Sequence, residues 1–201
     1  RRQRQMCIRD RVLAERAKLP RGILSILPST DSSGTGKEFC ENKKVRKLTF
    51  TGSTEVGRIL LGQAANNVLK CSMELGGNAP FIVFDDADLD AAVEGAIMCK
   101  FRNNGQTCVC ANRIYVQTGV YKEFATKLQA AVTKLKMGDG FDPKTTLGPL
   151  IGLDAVKKVN SHIEDAISKG AESIYCGAGE EAYGNFINPT ILTGVKKNLS
   201  L

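Results

Sequence analysis

The chain has 201 residues, of which 42% are hydrophobic and 24% charged, a composition typical of globular proteins. No apolar run approaches the ~20 residues that span a bilayer, and no secretory signal opens the chain, so we expect no membrane partner. The net charge is +7, but residues 1–11 hold five arginines against one aspartate and leave only +3 for the rest, so we expect no nucleic-acid partner.

Residues 1–11 differ abruptly in composition from the rest of the chain. The segment, RRQRQMCIRDR, lacks apolar periodicity and resembles translated adaptor DNA more than protein. We interpret it as a non-native leader and exclude it from fold prediction. A basic arm that binds nucleic acid is the alternative, disfavoured because no aromatic residue interleaves the charges.

From residue 12 onward, strand-like and helix-like segments alternate. The first half is predicted to contain the end of a helix (12–18), a strand (23–27), a helix (36–42), a strand (45–50), a glycine turn (51–53), a helix (54–66) and a strand (71–75). Alternation of this kind is typical of a parallel sheet with helices on its faces.

After the Gly76-Gly77 pair the alternation begins again. The predicted elements are a strand (80–84), a helix with a buried stripe from Leu89 to Phe101, a turn (103–105), a strand (114–117), a helix (121–135), a loop (137–150), a helix (153–168), a strand (173–176) and an extended segment (186–192). The fold class is therefore α/β with parallel sheets and flanking helices, and Gly76-Gly77 is the candidate domain boundary.

Seven cysteines at irregular spacings argue against a disulfide framework and favour a reducing, intracellular compartment. No C-x-x-C pair exists and His162 is the only histidine, so we expect no metal site. Most of the cysteines lie in or beside apolar stretches and are predicted to be structural: Cys40, Cys71, Cys99 and Cys176.

Cys108 is the candidate nucleophile, because it follows a glycine turn at the end of a buried helix. A Cys–His pair would have to use His162, which lies within a helix, so a carboxylate base is the better partner. Glu74 is the candidate, at the end of a strand between apolar residues, where partial desolvation would raise its pKa. A structural cysteine and a strand-end glutamate facing water are the alternatives.

The segment FTGSTEVG runs from a strand through Gly52 and Ser53 into a helix. Backbone N–H groups and the helix dipole at such a turn can hold a phosphate. Many strand–helix connections contain glycine, so this turn by itself is weak evidence.

Together and in this order, FTGSTEVG, MELGGNAP and FRNNGQTCVCANR resemble the aldehyde dehydrogenase superfamily. The resemblance extends from about residue 12 to the C-terminus, and FRNNGQTCVCANRIYVQ is most similar to the succinate-semialdehyde dehydrogenase branch. It implies a Rossmann-like coenzyme domain, of which residues 12–75 are part, and an α/β catalytic domain, of which residues 76–201 are part.

The resemblance also implies a mechanism. Cys108 would attack the aldehyde, a nicotinamide cofactor, NAD or NADP, would accept hydride, and Glu74 would activate the water that hydrolyses the thioester. Gly52 and Ser53 match the turn near the cofactor pyrophosphate, and Leu75 and Gly76 match the strip beside the nicotinamide.

Two further positions are implied by the same branch. Arg102 would bind the distal carboxylate of the substrate, and a solvent-facing helix-end arginine is the alternative. Cys110 would form a reversible disulfide with Cys108, although so short a loop strains the bond, and a small buried residue is the alternative.

For the complete protein, the resemblance implies oxidation of succinate semialdehyde to succinate in 4-aminobutyrate degradation. We expect a small-molecule aldehyde substrate, a homo-oligomer, and a location in the mitochondrial matrix or cytoplasm. The alternatives are a dehydrogenase for another aldehyde and a non-catalytic binding protein. This chain by itself is expected to be an inactive fragment.

Overall fold

A computed structural model describes residues 2–177 and 184–195, and within them the side chains of residues 8–175, 177 and 184–195. The helices are α1 (Arg2–Arg16), α2 (Ser32–Glu41), α3 (Thr54–Ala65), α4 (Leu89–Phe101), α5 (Tyr121–Val132) and α6 (Leu153–Ser168). The strands are β1 (Lys47–Gly52), β2 (Lys70–Leu75), β3 (Ala79–Val83), β4 (Ala111–Val116), β5 (Glu172–Cys176) and β6 (Thr190–Thr193). The chain divides into two compact units, Arg1–Leu75 and Gly76–Leu201.

The first unit is built on a β–α–β crossover. Strands β1 and β2 pair in parallel, with Lys47 opposite Lys70 and Gly52 opposite Leu75. Parallel strands need a crossover connection, and α3 supplies it. The carboxyl ends of both strands therefore lie at one edge of this sheet.

The core of the first unit lies between α2, α3 and the two strands. Cys40 is fully buried, and Leu60 and Ala64 of α3 are buried beside it. Partly buried residues of the strands complete the cluster: Leu48, Phe50, Leu69, Cys71 and Met73. Burial raises the pKa of the Cys40 thiol, with smaller contributions from Cys71 and Glu41. The predicted structural role of Cys40 agrees with this position.

The predicted strand at 23–27 is wrong. No strand forms there among the described residues, and Ile23 and Leu27 are about two-thirds exposed, at 65% and 68%. A strand needs a neighbouring strand for its backbone hydrogen bonds, and the apolar, β-branched composition of residues 23–27 does not by itself provide that neighbour.

Helix α2 begins at Ser32, four residues before the predicted start at residue 36. The Asp31 carboxylate accepts a hydrogen bond from the Gly34 N–H at 2.8 Å and so caps the helix. The first turn thus depends on the cap rather than on apolar periodicity.

The second unit contains another β–α–β crossover, in which β3 and β4 pair in parallel and α4 connects them. The predicted stripe of α4 is confirmed, because its apolar residues pack on one core with β3 and α5. The buried residues of that core are Val83, Val93, Ala96, Phe124, Leu128 and Val132. Burying a side chain such as Phe124 contributes about 1.5–3 kcal/mol to folding.

The third sheet differs from the prediction. Strands β5 and β6 pair antiparallel, with Glu172 opposite Thr193, whereas the predicted sheets are parallel. Parallel pairing would need a crossover connection between the two strands, and the described residues between β5 and β6 include no helix that could form one.

Several ends also differ. Helix α5 ends at Val132 rather than at residue 135, and β4 begins at Ala111 rather than at 114. Helix α1 is continuous from Arg2 to Arg16, so residues 2–11 belong to the same helix as residues 12–16, where the resemblance to the superfamily begins. Residue 1 and the Cys176 side chain lie outside the described residues. The α/β class with parallel sheets and flanking helices is confirmed.

Candidate active site

The Gly52–Ser53 turn joins β1 to α3 at the carboxyl edge of the first sheet. Ser53 is the N-cap of α3, and its hydroxyl accepts a hydrogen bond from the Val56 N–H at 3.3 Å. The first N–H groups of a helix have no helical acceptor and favour an anion. The donors at this turn therefore fit a phosphate.

Gly57 allows a close approach between α3 and the end of β2. A Cβ at Gly57 would lie 2.6 Å from Cδ2 of Leu75, closer than real Cβ contacts. Glycine in the first turn of α3 thus leaves room for the Leu75 side chain beside the Gly52–Ser53 turn.

Glu74 and Leu75 lie next to that turn, because Thr51 pairs with Glu74 and Gly52 pairs with Leu75. Glu74 is exposed, so the expected partial desolvation is not found. Side chains alternate along a strand, and Met73 takes the core-facing position beside it. The structure brings Glu74, Leu75, Gly52 and Ser53 together at one sheet edge.

Cys108 lies in a tight turn of the second unit. The Cys110 N–H donates a hydrogen bond to the Thr107 carbonyl at 3.2 Å, which leaves Cys108 and Val109 as the two central residues. Cys108 is exposed, whereas the other described free thiols are buried or half-buried: Cys40, Cys71, Cys99 and Cys110. Among these thiols, Cys108 is the accessible one.

Three consecutive residues before this turn have left-handed backbone: Asn103 at φ 53°, Asn104 at φ 56° and Gly105 at φ 73°. Asparagine tolerates this region better than most residues, and glycine has no steric penalty there. A Cβ at Gly105 would also lie 3.0 Å from the Lys100 carbonyl oxygen. The predicted turn at 103–105 is therefore confirmed.

The Cys110 side chain points to the end of α4. Its buried thiol lies 3.1 Å from the carbonyl oxygens of Cys99 and Lys100, two of the last acceptors of that helix. The Ala111 N–H donates to the Cys99 sulfur at 3.3 Å. Both thiols thus satisfy backbone groups where α4 ends, and a disulfide with Cys108 would require Cys110 to leave its acceptors.

Arg102 directly follows α4 and is its C-cap. Its side chain is exposed and makes no ion pair with any residue that the structure describes. The guanidinium is therefore available to an anion from outside the chain.

Asn104 and Gln106 bind a distant segment of the same unit. The oxygen and the nitrogen of the Asn104 amide both bind the backbone of Gly148, with the Gly148 N–H donating to Oδ1 at 3.0 Å and Nδ2 donating to the Gly148 carbonyl. The Ile151 N–H donates to Oε1 of Gln106 at 2.8 Å. The sequence alone does not predict these contacts; the only local signal is the Asn-Asn-Gly run.

The amino ends of β3 and β4 lie side by side, with Ala79 opposite Ala111. Gly76 and Asn78 precede β3, and the Cys108 turn precedes β4. Nδ2 of Asn112 donates a hydrogen bond to Oδ1 of Asn78 across this edge. Gly76 therefore belongs to the same end of the second sheet as Cys108.

The predicted site residues fall into two groups, one in each unit of the chain. Glu74 lies in the first unit and Cys108 in the second. The joint action of Glu74 and Cys108 that the family resemblance implies stays a prediction. His162 lies within α6, as predicted, and is half-buried.

Residues 2–177 and 184–195 include no cluster of three or more His, Cys, Asp or Glu side chains placed to hold a metal. Nor does any helix in the described ranges have the length and apolar character needed to cross a membrane.

The protein is of the α/β class. Its exposed cysteine, Cys108, lies in a turn that follows α4 and a loop of left-handed residues. The aldehyde dehydrogenase family matches residues 7–201. The chain belongs to the aldehyde dehydrogenase family, which confirms the resemblance seen in its motifs.

Relatives with substrate-specific names are similar to this chain. The succinate-semialdehyde dehydrogenase (NADP+) of Escherichia coli strain K12 is 59% identical over 187 residues, covering 92% of this chain and 38% of the relative. A glutarate-semialdehyde dehydrogenase of Pseudomonas putida is 60% identical over 190 residues, covering 94% and 39%.

Among solved structures, the crystal structure of succinate-semialdehyde dehydrogenase from Burkholderia pseudomallei has a TM-score of 0.90 and 58% identity. The alignment covers 94% of this chain and 39% of that one. The chain therefore spans about 38% of the length of the curated relatives that it matches.

Proposed function

We propose that the complete protein to which this chain belongs oxidises succinate semialdehyde to succinate with NAD or NADP. The observation that carries the proposal is the exposed thiol of Cys108, in a turn that follows the exposed Arg102 along the chain. A thiol nucleophile and a carboxylate receptor are the two groups that a semialdehyde with a distal carboxylate requires.

Cys108 is the nucleophile in this proposal. Its thiolate adds to the aldehyde carbon and forms a thiohemiacetal, and loss of hydride from that carbon leaves a thioester on the sulfur. The Cys108 backbone N–H stabilises the oxyanion. A bound nicotinamide cofactor supplies the hydride acceptor.

Glu74 is the general base. It accepts a proton from water as the water oxygen attacks the thioester carbon, so that succinate leaves and the Cys108 thiolate is restored. This role requires Glu74 and Cys108 to face one cleft, which is part of the proposal.

The cofactor assignment is supported by the donors at the start of α3. Ser53 and the first N–H groups of the helix suit the pyrophosphate, and Gly52 directly precedes this N-cap. Leu75 and Gly76 would flank the nicotinamide end. In this proposal residues 12–75 are part of the coenzyme domain, residues 76–201 are part of the catalytic domain, and residues 1–11 are a non-native leader.

Arg102 would bind the distal carboxylate of the substrate. Its exposure and its lack of a described anionic partner support this role. A guanidinium fork binds a carboxylate through paired, charge-assisted hydrogen bonds.

A second candidate substrate is glutarate semialdehyde, which is favoured by the 60% identity to the Pseudomonas putida relative with that name. The two substrates share an aldehyde and a carboxylate and differ by one methylene. One methylene changes transition-state binding by about 1–3 kcal/mol, so the ratio of kcat/KM values separates them.

The cellular context is also a proposal. The five described free cysteines support a reducing, intracellular location, in the mitochondrial matrix or the cytoplasm. We further propose a homo-oligomer without a nucleic-acid or membrane partner, which sedimentation of the complete protein tests.

The proposal is tested with the complete protein on a panel of aldehydes, with formation of NADH or NADPH as the readout. Succinate semialdehyde should have the highest kcat/KM. Cys108→Ser should abolish the reaction, whereas Cys71→Ser, at a half-buried thiol outside the proposed site, should not. Full activity of Cys108→Ser would overturn the proposal.

A further inference from the structure

We propose that Asn104 and Gln106 are positioning residues that hold the Cys108 turn in place for attack. Their side-chain amides bind the backbone of Gly148 and Ile151, and we call this set of contacts the amide bridge. The inference rests on the proposed function, since it concerns the geometry of the nucleophile.

Asn104 forms hydrogen bonds with two consecutive residues, Gly148 and Pro149. Its Oδ1 accepts from the Gly148 N–H at 3.0 Å and its Nδ2 donates to the Gly148 carbonyl, with a further contact of 3.3 Å to the Pro149 carbonyl. The Asn104 amide thus pairs with both the N–H and the carbonyl of Gly148, as the backbone of a neighbouring strand would. A side chain without both a donor and an acceptor cannot make this pair.

The Gln106 side chain forms hydrogen bonds with Ile151 and with Asn103. Its Oε1 accepts from the Ile151 N–H at 2.8 Å, while its Nε2 donates to the Asn103 carbonyl at 3.3 Å. The Gln106 N–H donates to that same carbonyl at 3.1 Å. Gln106 therefore connects Asn103, the first of the left-handed residues, to Ile151.

The partner segment is firmly held. Leu147 and Leu150 are buried, at 4% and 6% exposure, on either side of Gly148. The Gly138 N–H donates to the Leu147 carbonyl at 3.1 Å, and the Leu150 N–H donates to the Asn185 carbonyl at 2.8 Å. The amide bridge therefore connects the loop to a buried, hydrogen-bonded support.

The loop needs that support because its own backbone is strained. Asn103 and Asn104 are consecutive residues in the left-handed region, which asparagine tolerates better than most residues but less well than glycine. Cys108 follows Gln106 by two residues, so a shift of the loop moves the thiol. A displacement of about 1 Å at a reacting group can lower the rate about 100-fold.

The test uses Asn104→Gly in the complete protein. Glycine accepts φ 56° without strain, so this variant removes the amide while it keeps the backbone conformation accessible. Asn104→Asp is the second variant, because it keeps the acceptor for the Gly148 N–H and loses the donor. Gln106→Glu likewise keeps the acceptor for the Ile151 N–H.

Gln129→Ala is the matched control. The Gln129 amide also donates to a distant backbone carbonyl, that of Ile174 at 2.8 Å, but it lies in α5 and takes no part in the Cys108 loop. Its loss should lower Tm to a similar extent as Asn104→Gly and should leave kcat within about twofold of the wild type.

Asn104→Gly should lower kcat by about 10- to 100-fold with KM for the semialdehyde within about threefold, and Asn104→Asp and Gln106→Glu should have intermediate effects. A kcat equal to that of Gln129→Ala overturns the inference. If Asn104→Gly does not fold, Asn104→Asp decides by the same comparison. A wild-type protein that oxidises no aldehyde would instead refute the proposed function.

Discussion

Gly105 is the position at which a single methyl group should most clearly disturb the loop before Cys108. Its backbone lies at φ 73°, and a Cβ there would be 3.0 Å from the Lys100 carbonyl oxygen. We therefore predict that Gly105→Ala destabilises the protein.

The magnitude depends on two opposing effects. Alanine in the left-handed region costs about 1–2 kcal/mol, and the contact with a backbone oxygen adds to that cost because the helix end cannot move freely. Alanine also restricts the unfolded chain, which stabilises the folded state by about 0.4–1 kcal/mol. The expected net loss in the free energy of unfolding is about 1–2 kcal/mol.

Gly140→Ala is the control for the unfolded-state effect. Gly140 lies in the same unit, has no left-handed backbone, and a Cβ there would meet nothing within 4 Å. Unfolding in urea should give a free energy of unfolding about 2 kcal/mol lower for Gly105→Ala than for Gly140→Ala. Equal stabilities of the two variants would refute the reasoning about this loop.

Three further predictions concern the thiols and the arginine. Arg102→Leu should lower kcat/KM for succinate semialdehyde about 10- to 100-fold more than for an unbranched aliphatic aldehyde, because only the former has a carboxylate to lose its charge-assisted hydrogen bonds. Iodoacetamide should alkylate the exposed Cys108 before the buried Cys40, as peptide mass spectrometry can measure, because burial raises the Cys40 pKa and keeps that thiol protonated. Peroxide should inactivate the wild-type protein reversibly through a Cys108–Cys110 disulfide and should not inactivate Cys110→Ser in this way.

Each of these has a contradicting result. Equal losses on both substrates in Arg102→Leu would remove the carboxylate-binding role. Alkylation of Cys40 as fast as Cys108 would show that its burial does not protect it. Full activity of the wild type after peroxide would argue against the switch at Cys110, whose thiol would then serve only to cap α4.

The Cys40 thiol also gives a pH dependence. Its folded-state pKa is raised, so its contribution to stability is present below the unfolded-state pKa of a thiol, near 8.5, and is lost as pH rises through the folded value. Cys40→Ala should therefore flatten the decrease in stability at alkaline pH. An unchanged decrease would show that other groups cause it.

Local patterns predicted the elements whose signal lies within a few residues. The apolar stripe of α4 predicts a helix with one buried face, and the glycine turn before α3 predicts the start of a helix; both helices are found. The segment 23–27 has strand-like residues but no strand, because pairing depends on a partner that local composition does not specify. The antiparallel return of β6 was missed for the same reason.

The candidate site was predictable to a similar extent. Cys108 was identified because it follows a glycine turn, and its exposure agrees with that interpretation. Asn104 and Gln106 were not, since their partners lie 44 and 45 residues further along the chain. Glu74 was expected to be partly desolvated between apolar neighbours, but strand alternation leaves it exposed.

The most direct test of the mechanism is the mass of Glu74→Gln in the complete protein after mixing with succinate semialdehyde and NADP or NAD. If Glu74 releases the acyl group from Cys108, the variant should form a single burst of reduced cofactor and retain a succinyl group on Cys108, because glutamine cannot accept a proton from water. Wild-type turnover by Glu74→Gln, or an acyl group on a different cysteine, would contradict the mechanism.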